Sequence, residues 1–314
     1  MQNARDVLSP ENLAMLQLIA DTGSFAAAAR QLDLVPSALT YRVRQIEDAL
    51  DVLLFDRSAR QAHPTAAGSE LLREGARLLE DVDAIANHVR RVATGWEPQL
   101  TLSADQVIST QTLLELAESF YSIKPTPPTR LKFTEGILSG TLEALTSGQA
   151  DLAIGVAVDA PSIAGLQTAP LGSLEFVFVV APHHPLATAR EPISDSVLRG
   201  HRMIAVADSA RRGSITMGIL PGQDVMTVDS MRAKIQAQLR GLGVGFLPEP
   251  MVRAYLQAGH LVMRELERPQ RRVRLNYAWG RGIQAAPGQA LAWWLEQLKS
   301  ARTQQSLLEN HHHF

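Results

Sequence analysis

The chain has 314 residues, 46% of them hydrophobic and 20% charged, with a formal net charge of −2 and no cysteine. That balance belongs to globular domains with sizeable cores, two for this length, and excludes a disordered chain. The missing cysteines exclude disulfide scaffolds, zinc–thiolate sites and cysteine nucleophiles.

Ser9-Pro10-Glu11 supplies a cap, a first-position proline and an early acid, which opens a helix. Leu13, Leu16, Leu18 and Ile19 give it an apolar face before Gly23. Ser24 caps a second helix, 25–32, whose four alanines let a neighbour pack closely. A short turn, Asp33-Leu34-Val35, leads to a third helix from Pro36 to about Leu50. Its stripe is Leu39, Val43, Ile46 and Leu50, with Thr40, Arg44 and Glu47 off it. Two helices joined by so short a turn predict a helix-turn-helix whose second helix enters a major groove. Extended pieces at 53–55 and 61–63 flank a basic tip, Arg57-Ser58-Ala59-Arg60, which reads as a wing.

Thr65 caps a long helix to about Thr94, stopped by Gly95 and Pro98. Leu71, Leu78, Val82, Ile85 and Val89 recur at heptad spacing, joined by Val92, and predict a dimerisation seam. From Gln99 strands and helices alternate, which predicts an α/β region with parallel-rich sheets. The strands fall at 99–103, 131–134, 152–155, 175–181, 203–207, 225–228, 244–247 and 273–279. The helices fall at 110–123, 137–147, 194–199, 230–240, 250–257 and 288–302. Two sheets fit better than one, because 175–181 starts a second series.

The first 64 residues hold six basic and eight acidic side chains, so DNA binding must rest on placement. Arg42 and Arg44 on the third helix, and Arg57 and Arg60 at the wing tip, sit where phosphates are met. Pro36, Ser37, Thr40 and Tyr41 lie at the helix end that approaches base edges, and Ser24 starts the helix before it. For Tyr41 a second reading stands, packing against the wing. Gly241-Leu242-Gly243-Val244-Gly245 lies between a helix and a strand, the reverse of a dinucleotide fingerprint, and reads as a helix end and turn. Adjacent His183 and His184 cannot face one metal. No nucleophile-elbow, zinc-protease or Walker sequence occurs, so the reading is of a non-enzyme with no cofactor and no metal. The N-terminus lacks a basic-then-apolar leader and no apolar run is long enough to span a bilayer, which predicts a cytoplasmic chain without a membrane partner.

Gly23-Ser24-Phe25 with the alanines, Leu32–Glu47, Leu53–Arg57 and Pro64–Gly68 together resemble the LysR-type transcriptional regulators. Weaker signals continue in Gly148–Leu152, His184-Pro185-Leu186 and Gly241–Val244. Val35–Tyr41, Gly95-Trp96-Glu97 and Ile204–Asp208 further resemble the branch typified by the YhaJ regulator. The family's Ser-Gln-Pro start and later Ser-Arg read here as Val35-Pro36-Ser37 and Thr40-Tyr41, which changes the chemistry offered to bases.

The resemblance implies an N-terminal winged helix-turn-helix (1–64), a linker helix and hinge (65–98) and a periplasmic-binding-protein-like effector domain (99–303). The last would have subdomain I at 99–170 and 281–302 and subdomain II at 171–277. Open α/β sheets bind beyond their strand ends, which marks Asp105, Thr110, Glu135, Gly136, Ala207, Ser209, Ser230 and Phe246 for a small effector, aromatic or phenolic. Implied partners are double-stranded promoter DNA, the effector, further copies of the chain as dimer or tetramer, and RNA polymerase. Hinge closure on the effector would change how dimers pack and so how the recognition helices span DNA. The alternatives are an effector-independent repressor or autoregulator, a transport-type binding protein, and an α/β hydrolase; the last two lack a leader and a nucleophile motif.

Overall fold

The computed structural model describes residues 4–56, 62–157, 165–210, 218–269, 271–280 and 287–311. The chain forms two compact units, Met1–Val89 and Arg90–Phe314.

In the first unit α1 (Ala4–Val7), α2 (Pro10–Thr22), α3 (Phe25–Gln31) and α4 (Pro36–Leu50) are followed by β1 (Phe55–Asp56), β2 (His63–Pro64) and α5 (Ala66–Thr94). Ser9 and Ser24 cap α2 and α3 by accepting from the Asn12 and Ala27 N–H groups, each at 3.3 Å. Gly23, at φ 62°, closes α2 in the left-handed conformation that glycine adopts freely. Leu16, Ile19, Ala28, Ala29, Leu39, Val43, Ile46, Leu54 and Phe55 make the core. Phe25 packs edge-on against Phe55 at 5.5 Å.

The wing strands start two residues later, and end one residue later, than the sequence predicts. Leu54 is engaged elsewhere: its N–H donates to Glu47 Oε1 at 2.8 Å and its carbonyl accepts from Thr65 N at 2.9 Å. Glu47, read from the sequence as lying off the apolar stripe, is therefore buried and holds the chain where it enters the wing. Thr65 caps α5, accepting from Gly68 N at 3.0 Å while its hydroxyl donates to Leu53 O at 2.7 Å. The expected wing-tip residues Arg57 and Arg60 lie outside the described residues, as does the Val92 side chain.

The second unit opens with β3 (Gln99–Asp105), α6 (Thr110–Tyr121), β4 (Arg130–Gly136), α7 (Ser139–Thr146) and β5 (Leu152–Ala157). After β6 (Gln167–Val180) come a 3-10 turn (Pro185–Thr188), α8 (Asp195–Arg199), β7 (Met203–Val206), β8 (Val225–Val228), α9 (Met231–Leu239), β9 (Gly245–Pro248), α10 (Glu249–Gln257) and β10 (Val262–Met263). β11 (Arg271–Trp279), α11 (Gln289–Lys299) and α12 (Ala301–Glu309) complete it. Strand order is β10-β6-β11-β5-β3-β4 with β9 also on β6, seven strands in all, beside a two-stranded β7-β8 sheet.

The sequence predicts two separate sheets, with a strand beginning at 175. Instead β6 begins at Gln167 and runs through both halves, because antiparallel β11 pairs with it from Trp279↔Gln167 to Arg271↔Phe176. Pro170 and Gly172 are absorbed by a register shift between Leu275 and Asn276. These two long strands join a first half (β3–β5 with α6 and α7) to a second (β7–β9 with α8–α10). The predicted 288–302 helix divides at Ser300, which is extended at ψ 122°. α12 then buries Leu307 and Leu308, and the Leu307 carbonyl accepts from Ser109 N at 2.8 Å. Among the described residues no helix is long and apolar enough to cross a membrane.

Candidate DNA interface and effector cleft

On α4, Ser37, Tyr41, Arg44 and Asp48 are exposed at four- and three-residue spacing, which puts them on one outward face opposite Leu39, Val43 and Ile46. Tyr41 is 64% exposed. Thr40 lies beside this face with its hydroxyl donating to the Pro36 carbonyl at 2.9 Å. Arg42 lies off it and pairs with Glu11 of α2 at 2.8 Å, whereas Arg44 points outward. Pro36 occupies the first helical position, and Ser24 spends its hydroxyl on capping α3. The face is narrow, hydroxyl- and phenol-bearing, and has a cation one turn further along.

On α5, Leu71 packs against the core of its own unit. Leu78, Val82, Ile85 and Val89 are exposed, Ile85 by 64% and Val89 by 61%.

In the second unit the two halves meet at the ends of β3 and β4. Asp105 is buried there; its Oδ1 accepts from Val107 N at 3.0 Å and its Oδ2 from Leu138 N at 2.9 Å. Leu138 is held at φ 55°, ψ −118°, a conformation costly for a branched side chain and maintained by that bond. Across the cleft, Ser209 Oγ accepts from Ile137 N at 2.9 Å and Ser209 N donates to Ile137 O at 3.3 Å. Asp208 accepts from the Ser139 hydroxyl, and from Gly140 N at 3.2 Å, so it caps α7 from the other half. The arrangement is reciprocated: Gln106, in the first half, accepts from Met231 N at 2.7 Å and so caps α9 in the second.

Of the residues marked from the sequence, Asp105, Gly136 and Ser209 converge here, and Ser230 caps α9 beside them by accepting from Ala233 N at 3.2 Å. Glu135 accepts from Gln106 Nε2 at 3.2 Å. Thr110 is exposed at the start of α6, where its neighbour Ser109 does the capping. Ala207 is exposed, and Phe246 packs edge-on against Phe178 at 5.4 Å in the small core of the second half. Gln106, Ser139 and the capping role of Asp208 were not legible. Ser139-Gly140 at a helix start was the available signal.

Burial pushes the Asp105 carboxyl up to about 6, helped by the charge of Asp208 and opposed by the two N–H donors. The folded unit thus binds the proton more tightly than the unfolded chain. This contribution favours folding most at the acid end and is lost as pH rises from about 4 through about 6, on the order of 2–3 kcal/mol. The melting temperature of the C-terminal unit, wild type minus Asp105→Asn, is expected to fall between pH 4 and pH 7. A flat difference across that range would mean that the carboxyl ionises without penalty.

A helix-turn-helix with an outward-facing second helix, joined in one chain to a two-halved α/β domain, defines a class of DNA-binding regulatory protein. The profile described as bacterial regulatory helix-turn-helix protein, lysR family, matches residues 10–69, and that of the LysR substrate binding domain matches residues 93–303. The chain is 34% identical over 287 residues to the uncharacterized HTH-type transcriptional regulator YeeY of Escherichia coli K12, covering 91% of each. It is 35% identical over 292 residues to the probable HTH-type transcriptional regulator YhaJ of the same strain, covering 93% of this chain and 96% of that one. Full-length CbnR in complex with its target DNA shares the fold at a TM-score of 0.60, with 17% identity over 94% of this chain and 99% of that one. The chain belongs to the LysR family of DNA-binding transcriptional regulators.

Proposed function

We propose that this regulator binds promoter DNA as a dimer through the outward face of α4 and the wing, in the cytoplasm, and that the state of the 105–140/208–231 cleft sets its operator affinity in response to a small organic effector. The reading is carried by one observation: each half supplies a side chain that caps a helix of the other, Asp208 on α7 and Gln106 on α9, at the margin of an apolar core that both halves share. A second state in which these caps are broken would be open to a ligand, which would shift the balance by its differential affinity. Small aromatic and phenolic compounds are the first effectors to screen.

The competing reading is an effector-independent repressor, and the same latch favours it, since the cleft is closed by its own residues. A ligand-free measurement separates the two. Ser209→Ala removes the hydroxyl that accepts from Ile137 N and donates to Ile137 O, at a cost of about 1 kcal/mol or more, and is expected to change operator affinity by at least about fivefold without any added compound, read by fluorescence anisotropy on the footprinted operator. Unchanged affinity in Ser209→Ala and in Asp208→Ala would leave the cleft uncoupled from DNA and favour the effector-independent repressor.

A further inference from the structure

We propose that Val35, the residue on which the recognition helix starts, reads a thymine methyl group in the operator; this rests on α4 docking in the major groove. In α2, α3, α6, α8 and α9 the cap is a serine (Ser9, Ser24, Ser109, Ser194, Ser230) whose hydroxyl accepts from a first-turn N–H. α7, α10, α11 and α12 also lack a cap of their own, but α7 and α11 are served by Asp208 and Glu97; α4 begins on Val35 in extended backbone with no side-chain bond. A β-branched residue there forgoes the stabilisation of a cap. Burial does not compensate. Val35 is 63% exposed and stands outside the core of its unit, whereas its neighbour Leu34 packs on that core.

The chemistry of this helix end points to its target. Pro36 has no N–H, so Val35-Pro36 presents neither a hydroxyl nor the first helical N–H to a phosphate. What it presents is two methyl groups and a pyrrolidine ring, both exposed, beside the hydroxyl of Ser37 and one turn ahead of Tyr41. Thymine C5-methyl is the one apolar group that a base edge offers in the major groove. A valine at the leading end of the helix matches it and gives no reward for cytosine.

The test deletes only that methyl. In the footprinted operator each dT is replaced singly by dU, and the affinity of the full-length protein is measured for each duplex. At one dT per half-site the change is expected to weaken wild type by about three- to fivefold, the worth of one buried methyl. At that position Val35→Ala should show no loss and Val35→Ile should keep it. Val35→Ser should melt higher than wild type, since it restores a cap, and should also be blind to the dU change. A wild-type scan in which no dU matters, or in which every effect persists in Val35→Ala, overturns the proposal. Tyr41→Ala and Arg44→Ala report on the docking itself: if they leave binding unchanged as well, α4 is not the reading element. If they weaken binding while Val35→Ala responds to dU as wild type does, docking stands and Val35 is not the reader.

Discussion

Gly68→Ala is expected to destabilise the DNA-binding unit strongly and to weaken operator binding, while the C-terminal unit keeps its own melting transition. Gly68 lies in the first turn of α5, directly over the chain that enters the wing. A Cβ there would sit 2.0 Å from the Leu54 carbonyl oxygen and 2.9 Å from its carbon. Both are backbone atoms, so no rotamer change relieves the clash. Neither side can yield alone. The Leu54 carbonyl also accepts from Thr65 N, and Leu54 and Phe55 are each 1% exposed in the core. Overpacking of a well-filled core costs about 1–3 kcal/mol, and a backbone-on-backbone contact falls at or above the upper end. Calorimetry should show the N-terminal transition displaced or lost and the other intact. Wild-type operator affinity in the variant would mean that α5 approaches the wing less closely than described.

Ile85→Asp carries the second large effect. Leu78, Val82, Ile85 and Val89 follow one another at four, three and four residues, a heptad seam left open to water. Two copies aligned along it would bury Ile85 on both sides. An aspartate there would place two unpaired carboxylates in an apolar seam, at a cost of about 3–5 kcal/mol, which corresponds to a dimer dissociation constant raised by about two to four orders of magnitude. Sedimentation velocity should show monomers at concentrations where wild type is dimeric. Operator affinity should fall with it, since paired half-sites need paired recognition helices. Asp83→Ala, on the same helix but off the seam, should change neither. An Ile85→Asp protein that still sediments as wild type would remove the seam from the assembly.

The parts that the sequence made legible are those encoded by short-range repetition. The stripe Leu39, Val43, Ile46 and the serine and threonine caps depend on neighbours three or four residues apart, so α2 to α5 are found nearly residue for residue. The heptad on α5 is legible for the same reason, yet Leu71 belongs to the core of its own unit, which only the packing reveals. β6 begins eight residues before the expected 175, running across Pro170 and Gly172. Its register is imposed by β11, about a hundred residues further on. The cleft contacts lie beyond local reading altogether. Asp208 and Gly140 are 68 positions apart and Gln106 and Met231 are 125. Glu47 is a milder case: its position off the stripe predicts solvent, and its burial follows from an N–H seven residues away that needs an acceptor.

The reciprocal capping across the cleft has a consequence for the shape of a dose–response curve. Because Asp208 serves α7 and Gln106 serves α9, separating the halves strips both helix ends in the same movement, along with the Ser209–Ile137 pair. If the three contacts break together, the halves would act as a single toggle. Each cap is worth about 1 kcal/mol. A molecule that holds the halves apart must therefore prefer that state by about 2–3 kcal/mol, a ratio of affinities of about thirty to a hundred and sixty, before half the population responds. Weak, unselective binders would occupy the protein and leave transcription unmoved. What such a joint would set is the ceiling of the response at saturation, through that ratio of affinities, and not a threshold in dose.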